Sequence, residues 1–244
     1  MSRWKAAGIH LLLSAAIIGG VLLVMLRLWY PSPLFEAAGG KRLFFILAAV
    51  HVTVGPLITL IIFKSGKKGL AFDLAVIALM QAAALAYGVH IVYLARPVYL
   101  VFTVDRFELV TAKDLDPADL ALVTRPEFKQ PGPGRPRYIG VVAPSSPEER
   151  LKVTMTALSG KDLQMYPQYY VPYAEVAQTA LNRAEAVEKL LAREGETVES
   201  ALAHLGRAVR SVRYLPLRAK SEDAAVLLDA VSGDPVGTVL VDPW

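Results

Sequence analysis

Hydrophobic and polar positions divide the chain into two unlike parts. The first carries three long apolar runs, over about 6–28, 43–63 and 70–95. Each has the roughly 20 residues that a helix needs to cross the hydrocarbon core of a bilayer. Tyr30-Pro31-Ser32-Pro33 separates the first two, and each proline disfavours helix at the residue before it. Residues 34–42 then read as a short loop. Lys64-Ser65-Gly66-Lys67-Lys68-Gly69 reads as a tight basic loop before the third run. Gly55-Pro56 lies inside the second run and predicts a kink there. Trp29, Tyr30, Tyr87 and Tyr93 fall near the run ends, where aromatic side chains anchor helices at an interface. A secretory signal is the rival reading of the first run. That run is longer than a signal core, and Arg27-Leu28-Trp29-Tyr30 is no small-residue cleavage site, so the segment is expected to be retained.

From Arg96-Pro97 onward the pattern becomes that of a folded domain in water. Val98–Val104 and Phe107–Thr111 alternate like strands and are rich in aromatic and β-branched residues. Asp116-Pro117 predicts a short helix over 116–122, and residues 124–137, with four prolines and two glycines, predict a loop. Residues 138–143 read as a strand, and Ser145/Ser146-Pro147 as the start of a helix running toward Leu158. From Pro172 to Arg193, Val176, Ala180, Leu181, Ala184, Val187, Leu190 and Leu191 recur at helical spacing. They predict one long helix ended by Gly195, with another over 198–209. Residues 211–219 read as a strand, and 224–230 with 236–241 as a hairpin about Ser232-Gly233-Asp234-Pro235. The expected fold class is thus a three-span α-helical N-terminal bundle (residues 1–96) followed by an α+β extramembrane domain (residues 97–244).

Composition supports this division: 54% of residues are hydrophobic, 20% are charged, and the mean hydropathy is +0.41. The net charge of +4 is unevenly spread. Residues 1–96 hold nine Lys/Arg against two acids, and residues 97–244 hold seventeen against twenty. The basicity therefore belongs to the flanks of the spans, where it contacts anionic lipid, and the acidic outer domain excludes a nucleic-acid partner. With no cysteine, disulfides, thiolate catalysis and cysteine-type zinc sites are ruled out. The basic N-terminus (Arg3, Lys5) and the acid-free 64–69 loop share one side of a three-span chain. They outweigh Arg27, Lys41 and Arg42 on the other side. The N-terminus is expected in the cytoplasm and the outer domain outside, in the periplasm of a Gram-negative cell.

No constellation for catalysis emerges. His204 is the sole histidine of the outer domain, it stands in a helical pattern, and no nucleophile elbow accompanies it. No metal-ligand spacing occurs, and Gly132-Pro133-Gly134 lacks the amides that a phosphate needs. No cofactor, metal or catalytic residue is expected. Polar groups inside the spans carry more information, because they cost free energy in lipid and face protein or water. His10, His51, Asp73 and Gln81 are therefore candidate partner-binding residues. Asp73 has a plainer role as a helix cap or as a partner of Lys67, Lys68 or His10. Gln81 and His51 near mid-membrane suit contacts between helices. At the foot of the outer domain, Tyr93, Arg96, Pro97, Asp105 and Arg106 are read as the junction that sets its position on the membrane.

Four stretches carry a resemblance: RWKAAGIHLLLS at 3–14, WYPSPLFEAAGG at 29–40, GPLITLIIFKSGKKGLAFDLAVIALMQ at 55–81 and YGVHIVYLARPVYLVFTVDRFELV at 87–110. In these the chain resembles the TfpX/TfpZ family of type IV pilin accessory proteins. The resemblance covers most of the first 110 residues and adds little for the last 130. It implies a non-enzymatic inner-membrane accessory protein or chaperone whose partner is a major type IV pilin, alongside inner-membrane lipid and possible contacts with other pilus assembly proteins. Pilins of this kind carry a glutamate near the cytoplasmic end of their membrane helix, and His10 lies at comparable depth as its candidate partner. Two alternatives stand beside this. A membrane-anchored periplasmic sensor would need a cytoplasmic output domain, for which the chain has no room. A pilin-modifying enzyme would need polar groups gathered at the outer face, where only Asp105, Arg106 and Glu108 qualify.

Overall fold

In the computed structural model, which describes residues 1–244, the apolar runs are the helices α1 (Arg3–Trp29), α3 (Gly40–Ile62) and α4 (Leu70–Leu94), with a single turn α2 (Leu34–Ala37) between the first two. All three long helices have the length and apolarity to cross a membrane. Ser2 caps α1, its Oγ accepting the Lys5 N–H at 3.3 Å. The kink expected in α3 takes the form of a π-helical turn over Val50–Val54, just before Gly55-Pro56. Pro56 has no N–H to return to the preceding turn, so the ladder widens there. α1 packs along the Gly55–Ile62 half of α3, while α4 leans on both halves of α3. The two outer helices thus stand as walls over the middle one.

Beyond Ala95 the chain builds an eight-stranded mixed sheet. Its strands are β1 (Pro97–Phe102), β2 (Phe107–Thr111), β3 (Arg137–Val141), β4 (Tyr170–Pro172), β5 (Glu185–Ala186), β6 (Val212–Arg218), β7 (Ala224–Asp229) and β8 (Pro235–Val239). The order is β4-β3-β1-β2-β6-β7-β8, with β5 paired to β6 off this path. The β1/β3 and β2/β6 pairs are parallel and the rest antiparallel. In a flat sheet β3 and β8 would lie about 24 Å apart, five strand spacings. Yet Tyr138 Oη on β3 and Thr238 Oγ1 on β8 are 2.8 Å apart, and Tyr173 Oη donates to the Gly233 carbonyl at 2.7 Å. The sheet is therefore strongly curled.

The concave face holds Leu100, Phe102, Phe107, Leu109, Leu217, Val226 and Leu228, closed over by Tyr173 and by Ala177 and Ala180 of helix α7 (Ala177–Arg183). Both convex flanks are covered as well. Val187, Leu190, Val198 and Leu202 of or beside helix α8 (Glu188–Leu205) pack on Val212, Tyr214, Ala225 and Leu227. Leu115, Val123 and Phe128 pack on Tyr99, Val101 and Ile139. A strand covered on both faces reads as a continuous apolar run, which is the pattern of Pro97–Phe102, buried at all six positions.

Residues 30–38, read from sequence as part of a turn and loop, belong to that concave core. Tyr30, Leu34, Ala37 and Ala38 are buried in it together with Met25 of α1 and Val92 of α4. Tyr30 Oη donates to the Val92 carbonyl at 2.8 Å, and the Ala37 carbonyl accepts the Ser221 N–H at 2.9 Å. The loop between the first two spans thus plugs the membrane end of the curled sheet.

The single helix expected over 172–193 is broken. α7 ends at Arg183, Glu185 and Ala186 pair with Tyr214 and Arg213, and α8 begins at Glu188. Gly195 does not end a helix. It lies inside α8 beside a kink at Glu194 (φ −133°, ψ 53°), and the terminator is Gly206 at φ +63°. The other elements fall within a few residues of expectation. Asp116 and Ser146 cap helices α5 (Pro117–Leu120) and α6 (Pro147–Ala157) by accepting the N–H groups of Ala118 (2.8 Å) and Glu149 (3.1 Å).

Glu108 on β2 offers a test of the curled sheet. Burial raises its carboxyl above the ordinary value, and Arg218 at 3.8 Å and then Arg106 offset this only in part. A carboxyl raised in the folded state weighs against folding once ionised, and the penalty fades as pH falls through that raised value toward the ordinary one. Glu108→Gln is therefore expected to raise the melting temperature at neutral pH and to lose that gain in acid. A lower melting temperature at neutral pH would mean that the Arg218 pair outweighs burial.

Candidate intramembrane binding site

The walls formed by α1 and α4 enclose a groove of about 440 Å³ whose lining is mostly apolar. Ile9, Leu13 and Ile17 line one side, Ile77, Ala78 and Leu85 the other, and the floor is polar. His10 Nδ1 and Thr59 Oγ1 are 2.7 Å apart. His51 is only 5% exposed, and Gln81 lines the same floor. Gly55 lets these groups meet. A Cβ there would stand 2.5 Å from Gln81 Nε2 and 2.9 Å from His10 Nε2, so any larger residue would push both side chains away.

Helix rise gives the depths. Thr59 is three residues from the end of α3, and His10 is seven from the start of α1, about 5 and 10 Å inward. His51 and Gln81 each lie eleven residues from the same end of the bundle, about 16 Å in. The polar floor therefore climbs from one end of the bundle to its middle.

The structure thus brings three of the sequence candidates, His10, His51 and Gln81, to one groove. Asp73 stands apart: Lys67 Nζ holds its carboxylate at 2.6 Å, and it lines a different groove, with Val50, Ile58 and Met80 between α3 and α4. Two members of the site were passed over in the sequence, Gly55 as part of a kink and Thr59 as one more residue of an apolar run. Their spacing from His51, four and eight residues along one helix, places all three on one face and was the available signal.

At the membrane junction Tyr93, Arg96 and Pro97 act together. Arg96, 2% exposed, stacks its guanidinium 3.6 Å from the centre of the Tyr93 ring. It donates to the Tyr93 carbonyl at 2.7 Å and to the Gly132 carbonyl at 3.2 Å. Tyr93 also meets Trp29 edge-on at 5.3 Å, and Arg135 Nε donates to the Arg27 carbonyl at 3.1 Å. Asp105 and Arg106 do not join them. β1 runs away from Pro97, and six residues carry the chain about 20 Å before the turn that holds this pair. There Arg106 binds Asp105 at 2.8 Å and stacks on Trp244.

The groove offers imidazoles, two hydroxyls and a carboxamide for hydrogen bonding, with no acid among its lining residues. No cluster of three or more His, Asp or Glu is placed to hold a metal ion. A fimbrial assembly protein, serogroup I, of Dichelobacter nodosus is 33% identical over 239 residues, covering 92% of this chain and 90% of its own. The chain belongs to the fimbrial assembly protein family. A second member of this family in that organism, serogroup E1, is 31% identical over 234 residues, with the same coverage of both chains. A third, serogroups C1 and C2, is 36% identical over 116 residues, 46% of this chain and 86% of its own. The family model described as fimbrial assembly protein FimB matches residues 1–39, which contain α1, His10 and the Tyr30–Ala38 plug. No solved structure matches.

Proposed function

We propose that this chain is an accessory protein of type IV pilus assembly, of the TfpX/TfpZ kind, that binds a major pilin in the inner membrane without catalysing a reaction. Its N-terminus lies in the cytoplasm. Residues 1–96 form the membrane part, and residues 97–244, joined by the 30–38 plug, form the periplasmic domain. The observation that carries this reading is the groove between α1 and α4. An unassembled pilin has a membrane helix and a periplasmic head. The groove receives side chains of the helix, and the curled-sheet domain above it holds or screens the head. Two linked contacts of this kind raise the effective affinity far beyond either one alone. Membership of the fimbrial assembly family supports the pathway, and the polar floor supports the helix contact.

On this reading His10 supports the contact from the groove wall. His10→Ala leaves Thr59 without its partner and is expected to reduce both the pilin recovered with the protein and the number of surface pili. Full piliation together with unchanged pilin recovery would remove His10 from the mechanism. The reading as a whole is tested by crosslinking and purification of the full chain from its native cell. Recovery of the major pilin is expected. Recovery of signalling or cell-wall proteins instead would overturn it.

A further inference from the structure

Three segments meet where the sheet domain rests on the spans, and they carry cations without acids. Residues 25–30, 93–97 and 128–137 hold Arg27, Arg96, Lys129, Arg135 and Arg137 and no Asp or Glu. Arg96 gives its hydrogen bonds to two carbonyls, and its buried Nε has no partner. The titratable groups that face it are the phenols of Tyr93 and Tyr30 rather than an acid. A buried cation with no opposing charge is costly, so the junction calls for an anion. Arg135 spends Nε on the Arg27 carbonyl at 3.1 Å. The two terminal nitrogens of its fork, and the whole guanidinium of Arg27, have no acceptor in the protein.

Depth identifies the anion. The 27 residues of α1 rise about 40 Å, the thickness of a bilayer with its headgroup layers, so its last turn lies among headgroups. Trp29 and Tyr93, edge-on at 5.3 Å, mark that level. Arg135 belongs to the sheet domain and is held at this depth by the Arg27 carbonyl. We infer that Arg27 and Arg135 clamp the phosphate of an anionic phospholipid in the leaflet beneath the sheet domain. Guanidinium forks match phosphate oxygens two at a time. Arg96, Lys129 and Arg137 add positive charge around the clamp, and Arg96 gains its missing counter-charge. A zwitterionic headgroup fits less well, because its ammonium would meet cations and no carboxylate. Soluble phosphate offers the same oxygens but lacks acyl chains to lie against Leu26 and Leu28, which are exposed on the same turn. The site also orients the domain. Residues 97–244 carry more acids than bases, so an anionic surface repels the domain as a whole and attracts it at this face.

The test titrates phosphatidylglycerol into the full purified chain in detergent micelles, with bound lipid read by native mass spectrometry. Tight binding to the parent protein is expected, and weaker binding of phosphatidylcholine, whose choline is cationic. Arg27→Ala and Arg135→Ala should each weaken phosphatidylglycerol binding by about tenfold, the loss of one charge-assisted contact. Arg27→Ala keeps its backbone carbonyl and with it the Arg135 bond, so a loss there reports the guanidinium and not the fold. Lys41→Ala removes an exposed cation on the same side of the bundle that Glu36 already matches at 3.1 Å, and should change binding little. Unchanged binding in both arginine variants, or an equal loss in Lys41→Ala, would overturn the clamp. Equal binding of phosphatidylcholine would overturn the anionic headgroup. Competition by inorganic phosphate at the lipid's own concentration would overturn the lipid as the source. None of these outcomes involves pilin, so failure here leaves the proposed function standing.

Discussion

Replacing Tyr30 with Ala is expected to cost the sheet domain about 3–5 kcal/mol, although Tyr30 lies between two membrane spans, 67 residues before the first strand. Its ring is fully buried beside Phe35, with ring centres 6.5 Å apart, and it lies against Gly40, where a Cβ would stand only 2.7 Å from the ring. The substitution removes that packing and the hydrogen bond to the Val92 carbonyl, leaving a cavity where three elements meet. The loss is a large share of what a domain of this size has available. The expected readout is a lower melting temperature of the purified protein and faster proteolysis of the sheet domain, with the helices still inserted. Tyr30→Phe keeps the ring and loses only the hydroxyl, so it should show a loss nearer 1 kcal/mol. Equal protease resistance in the Ala variant and the parent protein would mean that the sheet closes without its plug.

This dependence was hidden in the sequence for a physical reason. Tyr30-Pro31-Ser32-Pro33 has turn chemistry, and turns are usually solvated, so nothing local tells that the segment is covered by a sheet formed much later in the chain. The spans were legible because a bilayer fixes their length and composition, a constraint that acts within one segment. The hairpins and caps were legible for the same reason: Asp116, Ser146 and Ser232-Gly233-Asp234-Pro235 act on their immediate neighbours. Ala184–Ala186 shows the opposite case. The helical spacing of apolar residues runs straight through it, yet pairing with Arg213 and Tyr214 on β6 turns two of these residues into a strand. Local propensity yields there to a contact nearly thirty residues away. In the groove, His10, His51 and Gln81 were legible as polar exceptions in apolar runs. The space between them was not, because it depends on Gly55 lacking a side chain and on α1 and α4 diverging over α3.

A short flexible insertion after Pro97 is expected to leave the sheet domain folded and to lower pilin capture by about tenfold or more, because two linked contacts keep their advantage only while their geometry is held. The domain should survive. The pairing of Tyr99–Phe102 with β2 lies beyond the insertion, and the Tyr30–Ala38 plug enters from the other side. What is lost is the fixed height of the domain over the groove. Arg96 joins the end of α4 to the Gly132 carbonyl, and its own carbonyl accepts the Ala112 N–H at 3.0 Å, so the helix end and the sheet are tied within one residue of the insertion. Added residues let β1 slide away from that tie, leaving the plug and the Arg135–Arg27 hydrogen bond to hold the two parts together. The measurement pairs surface-pilus counts and pilin recovery with protease resistance of the domain. Lost piliation with a resistant domain is the expected outcome. Normal piliation would show that head and helix are engaged independently, and that Arg96 seals the junction without setting its geometry.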